Sequence, residues 1–347
     1  MNAASPTPPP ADTPLATALG QAATPRMTAG GYQQPRVTTT SFDKIPPTRV
    51  RSLWPNYLAV GRLVPLVGDG GAGKGYILMD LAARVSRGRP WPDESPNPFG
   101  PGDVFILESE DNAGDTLRTR LDQQDADLSR VHLVHAAEEE LRPVNLGQDL
   151  EELKARISEA PAPRLLIVSA LNDYLPAGVN PDKDIEIRRV LRPLSLFAEQ
   201  CGVALCCLLH VGKATDRKAQ HRQLGSVAYM NLPRIALGAV AQASAEGPTL
   251  GIFGGLKNNL GKRGPSLCYR ITDTGLQWDG PSPVDIKNAM QQDGLVPSGP
   301  GPGSGRPPKA PLVNKVSNFH PVVDIMTAHE AGRAAAAEVC LDLADVG

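Results

Sequence analysis

Between residues 62 and 271, short apolar runs alternate with stretches in which apolar residues recur every three or four positions. Arg62 to Val67 reads as a strand that runs into glycine-rich sequence. Gly75 to Arg87 then reads as a helix, with Ile77, Leu78, Leu81, Ala82 and Val85 on one face. The alternation repeats: strands over 103–107, 131–134, 164–168 and 203–209, helices over 115–123, 150–160 and 185–200. The strands at 164–168 and 203–209 are almost continuously apolar, as strands covered on both faces must be. The pattern predicts an α/β fold with a mainly parallel sheet flanked by helices. Three further runs, 235–240, 249–256 and 267–271, predict an antiparallel extension closing one side.

Composition refines the boundaries. Glycine and proline are 34 each among 347 residues, and they are not spread evenly. Residues 1–45, rich in Pro and Thr, predict a disordered leader, and the body is expected over 46–280. From Pro297 to Pro311 ten of fifteen residues are Gly or Pro, so 281–319 reads as a linker. A short Ala-rich helix is expected over 320–347, too short to be a domain. Aromatics make up only 4%, which points to a core of Leu, Val, Ala and Ile.

The formal charge is −2, so there is no overall attraction to nucleic acid or anionic membrane, and any such contact must be local. Five cysteines, with no CxxC spacing, read as small apolar residues in a reducing compartment. No secretory signal is visible, and the longest apolar stretch, Gly202 to Leu209, is too short to span a bilayer. The expectation is a cytoplasmic protein with no membrane contact.

The chemistry starts where the first strand ends. Gly68, Asp69, Gly70, Gly71, Ala72, Gly73 and Lys74 fit the core of a phosphate-binding loop, set between strand and helix as that loop requires. Glycines let backbone N–H groups converge on a phosphate, and the helix N-terminus adds partial positive charge. Lys74 would reach the β- and γ-phosphates of ATP, with Gly75 and Tyr76 completing the site. Such loops normally continue with Ser or Thr, whose hydroxyl binds Mg²⁺; here Gly75 has no side chain to offer.

With the loop placed, the later landmarks resemble the RepA-like hexameric helicase group, the AAA-family branch of RecA-type ATPases found in plasmid and phage replication. The resemblance spans about residues 48 to 280. The stretch VFILESEDNAGDTLRTRL resembles the family's second strand, its Glu-Asp end and a helix with Arg near its end. The resemblance makes Glu110 the residue that polarises the attacking water; Glu108 is the rival, since alternation alone does not decide which faces the nucleotide. RLLIVSALNDYL resembles the Walker B strand, with Ser169 where an Asp normally stands. VALCCLLHVGKA resembles the strand ending in a γ-phosphate-sensing histidine, here His210. RQLGSVAYMNLPRIAL makes Arg234 the candidate arginine finger, acting on a neighbouring subunit. The Lys257, Asn258 and Asn259 run resembles a late hairpin of the family. Each has a structural alternative: a helix cap for Glu110, a core histidine for His210, an ion pair for Arg234. ATP and Mg²⁺ are the implied cofactors, and a homo-oligomeric ring, a hexamer in that group, is the implied assembly.

Two departures bear on activity. The P-loop hydroxyl and the Walker B Asp that hold Mg²⁺ are both missing, at Gly75 and Ser169. Their loss predicts hydrolysis slower by about two to four orders of magnitude. Asp173 is the nearest substitute ligand, with Asp69 and Asp111 behind it. After His210, Lys213, Arg217, Lys218 and Arg222 form a basic loop suited to the phosphates of single-stranded DNA, without an aromatic for base stacking. Three readings stand: a ring-forming, DNA-dependent ATPase related to replicative helicases; a nucleotide-binding regulatory or scaffolding subunit poor in hydrolysis; and a RecA-type repair or primase-accessory ATPase working as a monomer or dimer.

Overall fold

The computed structural model describes residues 39–136, 143–210, 226–242 and 247–292. The chain divides into two units, Met1–Val50 and Arg51–Gly347. In the described part of the first, Phe42–Lys44 makes a single 3₁₀ turn.

The second unit begins with a small antiparallel pair, β1 (Ser52–Trp54) and β2 (Leu58–Ala59). A larger sheet takes in β3 (Leu63–Gly68), β4 (Asp103–Glu108), β5 (Val131–Leu133), β6 (Pro163–Ser169), β7 (Ala204–His210), β8 (Ile235–Gln242), β9 (Thr249–Asn258), β10 (Leu267–Thr272) and β11 (Gly275–Pro281). Their order is β11-β10-β9-β8-β3-β7-β6-β4-β5. The half from β5 to β8 is parallel, and β8 to β11 form an antiparallel meander. The expected α/β architecture is borne out.

Side-chain alternation feeds two cores. Leu166 and Val168 of β6 face one layer, Leu165 and Ile167 the other, and all four are fully buried. One layer is closed by α3 (Leu150–Glu159) and α4 (Asp184–Cys201), the other by α1 (Lys74–Arg87). α1 stops at Gly88, whose positive φ lets its N–H reach back to the carbonyls of Arg84 and Val85. Before α2 (Arg118–Gln123), residues Ala113–Leu117 form one wide turn, capped by Asn112 Oδ1 accepting from the N–H groups of Gly114 and Asp115. The predicted helix over 115–123 is therefore a capped wide turn followed by a short helix.

Four elements escaped the hydrophobic pattern. β1 and β2 are too short to show a period. β11 is an edge strand interrupted by Asp279 and Gly280. α6 (Ile286–Gln292), which follows the short α5 (Ala228–Asn231), lies where a linker was expected from 281. Ile286, Ala289 and Met290 are fully buried, and α6 packs on β8 and β9, so the folded body continues past residue 280.

The core is also not purely aliphatic. Trp54 stacks on Tyr57, Trp91 and Phe253, at ring-centre distances of 4.1, 5.2 and 5.5 Å. Trp278 meets Phe253 and Tyr269 edge-on. The few aromatics are concentrated rather than dispersed, so a low percentage did not exclude an aromatic core. Cys206, Cys207 and Cys268 are buried free thiols, and burial pushes the Cys206 thiol up to about 12. Among the described residues no helix is long and apolar enough to cross a membrane.

Candidate functional site

Parallel strands end together, and that edge is where open α/β sheets bind ligands. Gly68, the last residue of β3, is paired with His210 of β7; Glu108 of β4 is paired with Ser169 of β6. The loop Asp69–Gly73 leaves β3 at this edge and enters α1 directly. Gly68 is required sterically, because a Cβ there would be driven into the carbonyl of Ala239. Gly73 has φ +70°, and a Cβ would strike Ile271. By contrast, nothing lies within 4 Å of where a Cβ would sit at Gly70 or Gly71. The base of the loop is packed and its rim is open.

The loop is held from below. Tyr269 Oη donates to the Ala72 carbonyl, at the end of the aromatic stack. Lys74, 4% exposed, donates from Nζ to the carbonyls of Gly68 and Asp69 at 2.8 and 2.7 Å. Burial lowers its pKa to about 8, opposed by the negative charges of Asp69 and Glu110. A cation held at a helix N-terminus, with open rim above, matches a polyphosphate ligand in charge and shape.

The structure separates the two glutamates. Glu108 Oε1 accepts from the N–H groups of Ser109, Glu110 and Asp111, so its carboxylate is folded back onto its own loop. Glu110 is exposed and lies within electrostatic reach of Lys74. Ser109 bridges the strand ends, its Oγ donating to Asp173 Oδ2 at 2.6 Å and its N–H to the Ser169 carbonyl at 3.0 Å. Ser169 itself is 3% exposed.

One contact was not foreseen. Arg120, on α2, pairs through Nη1 with Asp111 Oδ2. Its guanidinium carbon stands 4.5 Å from the ring centre of Tyr76. A Cβ at Gly75 would meet Arg120 Nη1 at 3.0 Å and Asp111 Oδ2 at 3.9 Å. The space beside Gly75, where a metal-binding hydroxyl would project, faces an arginine. Arg120 sits in the Glu-Asp-to-Arg stretch quoted above, yet its contact with Gly75 joins separate elements and has no spacing signal.

The residues present do not fit a P-loop Mg²⁺. Gly75 offers no oxygen, Arg120 brings positive charge to that place, and Ser169 replaces the strand-end carboxylate. Of the three substitutes, Asp173, Asp69 and Asp111, the first is engaged by Ser109 and the last by Arg120. Among the described residues no three His, Cys, Asp or Glu side chains are grouped to hold a metal ion.

Other candidates lie elsewhere. Arg234 immediately precedes β8, and Lys257 is paired with Ala236 near the start of that strand, at the edge opposite the loop. Arg234 is exposed and lines a small cavity with Arg62, Leu63, Glu199 and Pro233. Lys257 Nζ donates to the carbonyls of Met230 and Asn231, capping α5, and Asn258 Nδ2 donates to the carbonyls of Lys262 and Asn56. His210 ends β7 by its backbone, next to Gly68. Lys213, Arg217, Lys218 and Arg222 lie outside the described residues.

A family model described as an AAA domain matches residues 32–216, more than half of the chain. No curated protein matches.

Proposed function

Because the chain belongs to the AAA-domain family of P-loop ATPases, we propose that it binds ATP through Gly68–Lys74, turns it over slowly, and acts on DNA as a relative of ring-forming replicative helicases. The observation that carries the nucleotide reading is the loop itself. Its base admits only glycine at Gly68, its rim is open, and Lys74 is buried at the helix N-terminus. A glycine-only base, an open rim and a buried lysine at a helix N-terminus together suit a bound phosphate chain.

Turnover needs a water activated against the terminal phosphate. Glu110, exposed and within electrostatic reach of Lys74, is the group for that task. It accepts the water's proton as the water oxygen bonds to phosphorus and the bond to the bridging oxygen breaks, releasing the diphosphate. A positioned base contributes about 10²–10⁴-fold. Without the usual metal contacts the reaction remains about two to four orders of magnitude slower than in a complete P-loop enzyme.

The DNA part rests on the basic residues Lys213, Arg217, Lys218 and Arg222 in the sequence. The second reading, a nucleotide-binding regulatory subunit, is favoured by Gly75 and Ser169. ATP turnover by the full chain, with and without single-stranded DNA and beside Lys74→Ala, separates them. DNA-stimulated turnover lost in Lys74→Ala supports the motor; binding without turnover supports the regulatory subunit.

A further inference from the structure

The edge carrying the loop holds a cation that the P-loop pattern does not call for. Arg120 approaches the Gly75 backbone so closely that a Cβ there would lie 3.0 Å from Nη1. Asp111 fixes the guanidinium from one side and the Tyr76 ring supports it from another. The Arg120 side chain is 19% exposed, so it is largely sheltered but not sealed from the rim. Gly75 is the position from which the family pattern extends a hydroxyl to Mg²⁺. The missing hydroxyl and the present arginine meet at one place: the guanidinium stands beside the position from which the hydroxyl would project.

We propose that Arg120, seated by Asp111 and Tyr76 against Gly75, takes over the charge-neutralising part of the P-loop metal ion, so that this chain binds ATP without a divalent cation. The inference rests on the nucleotide reading above and adds a residue to it. The chemistry is suitable. A guanidinium presents N–H donors in a planar fork that matches phosphate oxygens in pairs, and it holds its charge at any working pH. One donor is given to Asp111, which orients the fork. A single positive charge, already paired with the Asp111 carboxylate, is much weaker than a dication, so it holds phosphate oxygens through its N–H donors while transition-state stabilisation falls. That agrees with a site that holds nucleotide and hydrolyses it slowly. A second consequence concerns Gly75→Ser: the added Cβ would stand 3.0 Å from Nη1, so Arg120 must give by a few tenths of an ångström to admit the family residue.

The test is ATP binding by the full chain, measured by titration calorimetry in excess EDTA and again in excess Mg²⁺. Wild type is expected to bind with affinities within about threefold of each other, where a metal-dependent loop loses far more. In EDTA, Arg120→Met is expected to weaken binding at least about tenfold, the scale of a charge-assisted phosphate contact. Arg120→Lys should fall between, since it keeps the charge and loses the fork. Binding by wild type only when Mg²⁺ is present overturns the proposal without any variant being needed. Equal binding by wild type and a folded Arg120→Met in EDTA overturns it as well. Lys74→Ala sets the baseline for a disabled loop. If wild type matches that baseline with and without Mg²⁺, the nucleotide reading itself fails, an outcome distinct from failure of the arginine alone.

Discussion

The hydroxyl of Tyr269 donates to the carbonyl of Ala72, which fastens the antiparallel half of the sheet to the loop that precedes α1. Tyr269 is fully buried, and burial pushes its phenol above its ordinary range, which favours the protonated, donating form. Space for the ring comes from Gly251 on β9, where a Cβ would overlap it. The meander is therefore more than an edge cover: it holds the loop in shape from beneath. Tyr269→Phe removes one hydroxyl and leaves a buried carbonyl without its donor. Unfolding free energy should fall by about 1–3 kcal/mol in a denaturant titration. ATP affinity should fall too, because the loop loses its support. Unchanged affinity in a folded Tyr269→Phe would show that the loop keeps its shape unaided.

Lys74 makes the loop sensitive to pH. Its pKa is lowered to about 8 by burial, from an ordinary value of 10.5. Phosphate binding favours the ammonium form, so affinity should be level below pH 8 and weaken above it, by at most about tenfold per pH unit for one proton. Without ligand the sign for stability is the reverse. Below pH 8 the folded chain carries a buried ammonium at a cost; between about 8 and 10.5 that cost disappears while the unfolded chain still holds its proton. The difference in stability between wild type and Lys74→Met should therefore shift in favour of wild type across that window. Affinity that stays constant up to about pH 9.5 would mean that this ammonium is not a phosphate contact.

α6 gives a test of the folded body's extent. Met290 and Ile286 are fully buried, and a Cβ at Gly238 of β8 would press on Met290 Sδ. Met290→Ala should cost about 2–5 kcal/mol, the range for emptying a well-packed site. A cost below about 1 kcal/mol would return residues 286–292 to the linker.

Much of this architecture was readable from period alone. The parallel strands were continuous apolar runs because helices cover both faces, and the glycine loop stood between a strand and a helix in the order its chemistry requires. What escaped notice had no periodic signature. β11 is an edge strand broken by Asp279 and Gly280. α6 is seven residues long, beside a Gly/Pro-rich stretch that overshadowed it. The Trp54, Trp91 and Phe253 stack joins residues far apart in sequence. At the site, spacing set Gly68 to Lys74 apart, while the turn in which Glu108 accepts from the N–H groups of Ser109, Glu110 and Asp111 left no mark in the spacing. The Arg120 contact with Gly75 needed coordinates, because it depends on two elements meeting.

Arg234 provides the sharpest test of assembly. β8 runs parallel to β3, with Gly238 opposite Val67, and Arg234 precedes the first residue of that strand. It lies five residues before Ala239, whose carbonyl touches the space at Gly68, which is about 17 Å along a strand. An arginine at the opposite edge does not serve its own chain's loop. If it acts in catalysis it acts on a neighbouring subunit, where an arginine finger is worth about 10³–10⁵ in rate. Arg234→Ala should then leave ATP affinity unchanged and reduce turnover. Mixing Arg234→Ala subunits with Lys74→Ala subunits should restore part of it, because some interfaces then pair an intact loop with an intact arginine. A mixture no more active than its components, alongside normal turnover by Arg234→Ala alone, would make Arg234 a surface residue beside Lys257 and remove its part in a shared site.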